Sequence, residues 1–134
     1  KRISPCPVPR TMIKLTFCLK RLPQLTRAEF QAYWRDVHAP LVQAHANVLG
    51  IARYVQSHSL PENPAFALAA VRGSAGADFD GVAELWWQDM ASFGAAGLTA
   101  EGRAAGQLLL EDEARFIDLP RSPIFLVEET QFVG

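Results

Sequence analysis

Residues 26–42 read TRAEFQAYWRDVHAPLV, and the interpretation of this stretch decides the fold. Thr26 followed three residues later by Glu29 is a capping box, in which hydroxyl and carboxylate each satisfy an orphan backbone N–H. At about 100° per residue, Phe30, Trp34, Val37, Leu41 and, further on, Val48 fall in one apolar stripe. Gln31, Arg35 and Gln43 lie away from its centre. His38 and His45 share one flank of the stripe, beside Trp34 and Leu41. Pro40 removes the N–H that would bond the Asp36 carbonyl. It also biases Ala39 away from helical angles, which predicts a kink or restart near His38. Gly50 is placed to end the element. A histidine at the edge of such a stripe is either a packed core residue or a group facing a pocket.

Outward from this helix the chain alternates in an orderly way. Residues 12–19 read as a strand, with Ile13, Leu15, Phe17 and Leu19 on one face and Lys14, Thr16 and Cys18 on the other. Residues 51–60 form a second expected strand, 80–88 a third and 122–132 the last. A broken helical region precedes the last strand. Asp89 caps a short turn, Gly94 and Gly97 interrupt it, and Thr99 caps a second piece running through Leu110. The order strand, helix, strand, strand, helix, strand predicts an α+β fold of ferredoxin-like βαββαβ type. That is a four-stranded antiparallel sheet with both helices on one face.

The other sheet face is expected to carry Thr16, Cys18, Tyr54, Gln56 and His58, with Val82, Glu84 and Trp86. Adjacent Trp86 and Trp87 send one indole to each side. A large aromatic on a wet face is either an incidental surface residue or the mark of a second sheet packed there. The second reading is preferred, and a symmetric partner is its simplest source. The link from Pro61 to Phe79 is about four times longer than a typical hairpin loop. Its FALAAV segment, residues 66–71, reads as a lid over a pocket mouth or as a hairpin extension packing on a partner.

At 134 residues the chain can bury one core, roughly two-thirds of its unfolded surface. We divide it into a flexible N-terminal leader, residues 1–11, and one domain, residues 12–134. The leader holds three prolines within Lys1–Arg10 and no apolar signal-peptide core. A net charge of −1 with scattered basic residues gives no reason to expect nucleic acid. No apolar run approaches the roughly 20 residues that span a membrane. Cys6 and Cys18 form no CxxC motif, which points to a reduced, cytoplasmic setting.

The pattern Phe30-x-x-Tyr33-Trp34-x-x-x-His38-Ala39-Pro40-Leu41-Val42 resembles the first-helix signature of the EthD family, named for a protein of ethyl tert-butyl ether degradation. The likeness continues through Arg53-Tyr54-Val55-Gln56, through Asp80-Gly81-Val82-Ala83-Glu84-Leu85-Trp86, and through Asp112-Glu113-x-x-Phe116-x-Asp118. It covers about Met12 to the C-terminus. The resemblance implies a dimeric α+β barrel, a homodimer formed through the open sheet face, and a small apolar ligand held between sheet and helices. It also implies cofactor-free relatives that act as dehydratases and isomerases, beside haem-active and cofactor-free oxygenases.

The residues themselves contain no glycine-rich phosphate loop, no GxSxG elbow and no cluster at metal-ligand spacing. His38 and His45, seven apart, are poorly spaced for zinc. We therefore expect neither metal nor cofactor, with a haem bound by one histidine as a minority alternative. Acid–base groups in an apolar pocket remain. His38 is the candidate base or acid, and His58 or Glu84 its counterpart. Burial beside Val82 and Trp86 would raise Glu84, against the alternative of an ion pair with Arg53 or Arg72. Tyr54 is a candidate donor to a developing oxyanion. Trp34, Thr16, Cys18, Gln56 and Trp86 complete the expected substrate wall. Asp112, Glu113 and Asp118 read as a structural ion-pair cluster with Arg115 or Arg121. The expected function is proton transfer of dehydratase, isomerase or cyclase type on an aromatic, polyketide-like or lactone compound. A non-catalytic accessory dimer and a monooxygenase-type oxidoreductase are the alternatives.

Overall fold

The computed structural model describes residues 12–61, 65–74 and 78–134. The leader at residues 1–11, Cys6 included, lies outside the described residues. Four strands build the sheet: β1 (Ile13–Leu19), β2 (Arg53–His58), β3 (Gly81–Trp87) and β4 (Ile124–Glu128). All neighbours are antiparallel, in the order β2-β3-β1-β4. This is the expected ferredoxin-like arrangement, with the helices over one face.

The first helical stretch is α1 (Arg27–Tyr33), a π-helical turn (Trp34–His38) and α2 (Ala39–Leu49). The Thr26–Glu29 capping box forms with both hydrogen bonds, and Gly50 closes α2 in the left-handed conformation at φ 71°. The expected restart at His38 takes the form of the π turn, where the Ala39 N–H reaches back to the Trp34 carbonyl. Pro40 has no N–H to close an ordinary turn at that level, and the chain accommodates it by widening the helix. Ala39 nevertheless stays helical, at φ −59° and ψ −44°, contrary to expectation.

The wide turn shifts the buried stripe. Phe30 and Trp34 are buried as expected, but His38 and Val42 follow them inward. Val37 and Val48, assigned to the core from a constant 100° step, are 48% and 46% exposed. The extra residue in the turn is the physical reason.

After β3 come α4 (Met90–Ala95), a short 3-10 turn (Ala96–Leu98) and α5 (Ala100–Glu113). Asp89 and Thr99 cap the two helices by accepting the Ser92 and Gly102 N–H groups. The core between sheet and helices joins Phe17, Leu19, Phe30, Trp34, Ala83, Phe116 and Ile117. Phe116 is its hub, with ring centroids 5.4 Å from Phe30, 5.0 Å from Tyr33 and 5.1 Å from His38. Fully buried Asp80, just before β3, accepts the Arg21 backbone N–H at 2.9 Å and its guanidinium at 2.7 Å. These bonds pin the end of β1 to the start of β3. The Pro61–Phe79 link contains a further helix, α3 (Ala65–Val71), exposed except at half-buried Ala69.

The register corrects one expectation about the sheet. Directly paired residues of antiparallel strands share a face. Tyr54 pairs Leu85, Gln56 pairs Ala83 and His58 pairs Gly81, while Leu85 and Ala83 pair Leu15 and Phe17. Tyr54, Gln56 and His58 therefore lie on the helix side, not beside Thr16 and Cys18. The open face carries Thr16 and Cys18, Val82, Glu84 and Trp86, and Arg53, Val55 and Ser57. Trp86 is covered by its own chain. Lys14 and Arg53 stand 5.0 Å and 4.6 Å from its ring, and its indole donates to Glu129 at 2.6 Å.

Candidate functional site

The π turn presents His38 to α5, the second helix over the sheet. Along α5 the buried positions are Gly102, Ala105, Leu109 and Asp112, spaced three, four and three apart. A carboxylate thus stands at the end of an otherwise apolar stripe. Asp112 Oδ2 is 2.7 Å from His38 Nδ1, and both residues are buried. The Tyr33 hydroxyl donates to Asp112 Oδ1 at 2.6 Å, and Arg115 donates to the same oxygen at 3.1 Å from the solvent side.

These contacts fix the charge and the tautomer. Burial alone would raise the Asp112 carboxyl, but hydrogen bonds from Tyr33, His38 and Arg115 outweigh it and hold the group below its ordinary value. An ionised Asp112 accepts, so His38 Nδ1 carries the hydrogen. Burial lowers the His38 pKa, and Asp112 opposes this only in part. The ring is therefore neutral near pH 7, and Nε2 is left as its basic atom.

His38 lines a narrow cavity of about 50 Å³ between sheet and helices. Its polar wall is His38, Tyr54 and Glu113; Phe17, Trp34, Val42 and Leu109 are among the apolar remainder. Tyr54 comes from β2, and its hydroxyl accepts from Gln56 Nε2 at 2.8 Å. Gln56 Nε2 also donates to the Trp34 carbonyl at 2.9 Å, within the π turn. Burial raises the Tyr54 pKa, so the phenol stays protonated and can donate. Glu113 follows Asp112 on α5, about 100° around the helix. Burial, and then the Asp112 charge, raise its carboxyl to about 7.

The sequence-derived candidates thus separate into two groups. His38, Tyr54 and Trp34 meet at the cavity. Gln56 supports them through its hydrogen bonds. His58 stands behind Trp34, ring centroids 4.5 Å apart, with Nε2 donating to Gln56 Oε1 at 2.9 Å and Nδ1 buried with no partner among the described residues. Burial, then the Arg35 charge, lower its pKa. Thr16, Cys18, Glu84 and Trp86 lie on the opposite face of the sheet, so Glu84 cannot serve His38 as counterpart. Glu84 is paired with Lys14 and accepts from Ser57 at 3.2 Å. Burial raises the Cys18 thiol, which suits a filler rather than a nucleophile. The open face also holds a cleft of about 560 Å³ around Lys14, Arg53, Glu84, Trp86 and Glu129.

Asp112, Tyr33 and Glu113 were missing from the sequence-derived site. The expected structural pairs do form, Asp112 with Arg115 and Asp118 with Arg121 at 3.7 Å. Asp112 also does what an ion-pair cluster does not, orienting a buried histidine. The signal was available in the three-four-three spacing that puts Asp112 on the apolar face of α5.

Comparison with known proteins agrees with this architecture. The EthD domain model matches residues 22–120. The dehydratase aurZ of Gibberella zeae is 26% identical over 128 residues, covering 94% of this chain and 82% of that protein. An ethyl tert-butyl ether degradation (EthD) family protein from Bacillus halodurans superposes with a TM-score of 0.58 at 23% identity, covering 89% of this chain and 99% of the other. The hydroxynitrile lyase of Passiflora edulis does so with a TM-score of 0.59 at 9% identity, covering 94% and 100%. At these identities the two structures attest the fold. Among the described residues no helix is long and apolar enough to cross a membrane.

Proposed function

The chain belongs to the EthD family, and from that premise we propose that it catalyses cofactor-free proton transfer of the dehydratase type on a carbonyl compound of aromatic, polyketide-like or lactone character. The observation that carries this reading is the buried Asp112–His38 pair at the wall of an apolar cavity. Asp112 holds the tautomer in which Nε2 is free to take a proton from carbon, and it stabilises the imidazolium that forms. Tyr54 donates to the oxygen on which negative charge develops, its own oxygen held by Gln56. His58 orders Gln56 and Trp34 instead of meeting substrate. The likeness to a dehydratase supports the reaction class.

A space of about 50 Å³ accommodates a few heavy atoms, so the substrate is held by its reacting end while the rest lies outside. Two subunits pair through their open sheet faces, where Val55, Val82 and the half-exposed Phe125 supply apolar surface.

The test is exchange of the α-protons of benzylacetone for deuterium, followed by proton NMR. His38→Ala should slow exchange by about a hundred-fold or more while the circular dichroism spectrum is retained. Exchange as fast in the variant as in the parent protein would refute the assignment. The small cavity also favours a second reading, a non-catalytic accessory that binds ligand, and parent protein that exchanges no faster than buffer would favour it.

A further inference from the structure

Base and oxyanion donor leave one requirement of a dehydration unmet. Hydroxide is a poor leaving group and needs a proton as the C–O bond breaks. The sequence offered His58 and Glu84 for this task. Among the described residues, His58 does not line the cavity and Glu84 lies across the sheet. Resting on the reading above, we propose that Glu113 is the acid that protonates the departing hydroxyl, with a β-hydroxy carbonyl compound as the substrate class.

The geometry supplies the argument. Asp112 and Glu113 are consecutive on α5, so their side chains diverge by about 100°. One turns to His38 within the helical layer, and the other joins Tyr54 and His38 on the cavity wall. The Glu113 carboxyl has no hydrogen bond or ion pair to any described residue, whereas every oxygen of Asp112 is engaged. Two neighbouring carboxyls are thereby given different states. Asp112 is kept ionised by three donors, whereas burial and then the Asp112 charge raise Glu113 to a midpoint of about 7, so that a substantial share of it holds its proton near neutral pH.

The step balances. His38 Nε2 takes the α-proton, and the C–H electron pair becomes an enolate held by Tyr54. The enolate then forms the C=C bond, the C–O bond breaks toward oxygen, and Glu113 delivers its proton so that water leaves. His38 ends protonated and Glu113 ionised, and return of one proton from the first to the second restores the site.

Two probes separate this role from the base's role. One is the aldol adduct of acetone and benzaldehyde, whose leaving group needs a proton. The other is its analogue with para-nitrophenoxide in place of hydroxide, which leaves without one. His38→Ala should slow both eliminations alike. Glu113→Gln, which keeps size and shape, should slow the alcohol about a hundred-fold more than the ether. Equal slowing of both probes by Glu113→Gln, or none, overturns the acid assignment and leaves the base intact. Parent protein inactive on both probes overturns the two together. Independently, infrared difference spectra of parent minus Glu113→Gln should contain a protonated carboxyl band that titrates near neutrality; its absence refutes the proposal.

Discussion

His38 and Glu113 sit in one cavity wall with opposite needs, and each can be tested alone. In the proposed reaction Asp112 acts through His38, and its replacement should move more than a rate. Asp112→Asn should lower exchange of benzylacetone about a hundred-fold. It should also shift the pH midpoint of exchange downward, since Asp112 is what raises an imidazole otherwise lowered by burial. A variant with an unchanged midpoint would make Asp112 merely structural. For Glu113 the sign of the stability effect follows from its raised folded-state value. Its ordinary value is 4.5 and its folded value about 7. The contribution is fully present below about 4.5 and is lost as pH rises through about 7, because only the unfolded chain ionises freely. Asp112 on α5, His38 on the π turn and Tyr54 on β2 are the titratable groups around it. Glu113→Gln should therefore raise the urea midpoint above pH 7 and leave it nearly unchanged below 4.5. At this scale residue type and context singled out His38, Tyr54 and Trp34, the three candidates that meet at the cavity. The sequence hid Asp112 and Glu113 because their placement beside His38 depends on which helix face meets the π turn, a contact 74 residues away along the chain.

The elements were legible wherever a local rule sets them. Thr26, Asp89 and Thr99 cap their helices, Gly50 ends α2, and Pro40 marks the irregular turn. Two features were not legible. The π turn breaks the constant period on which a helical wheel depends, so Val37 was placed inside and Val42 left unassigned. The facing of β2 depends on the pairing of Tyr54 with Leu85, which no alternation within the strand reveals. Close packing between elements gives the prediction at this scale. A Cβ at Gly81 would stand 2.4 Å from Trp34 Cζ3 and 2.7 Å from the Ser57 carbonyl. Gly81→Ala should destabilise the protein by about 1–3 kcal/mol in denaturant titration and displace the Trp34 ring from His58. A cost near zero would mean that β3 and the π turn part more easily than their packing implies.

At the scale of the whole molecule, strand order and family were readable from the chain, because alternating elements in this order admit few topologies. The symmetric partner expected from Trp86 on the outer face depends on a surface and not on a period, and it is a proposal with its own test. Val82→Asp, placed in the middle of the open face, should yield a folded monomer by sedimentation velocity if the proposed pairing holds; a persistent dimer would relocate the interface. The neighbours Trp86 and Trp87 also have a practical consequence. One indole lies under Lys14 and Arg53 on the outer face; the other meets Phe93 edge-on and donates to the Leu49 carbonyl. The third, Trp34, borders the cavity against an imidazole. The three tryptophans of the sequence are thus distributed over three separate environments. Fluorescence from single-tryptophan variants can then report on the outer sheet face, helix docking and the cavity as distinct optical signals, with no label attached.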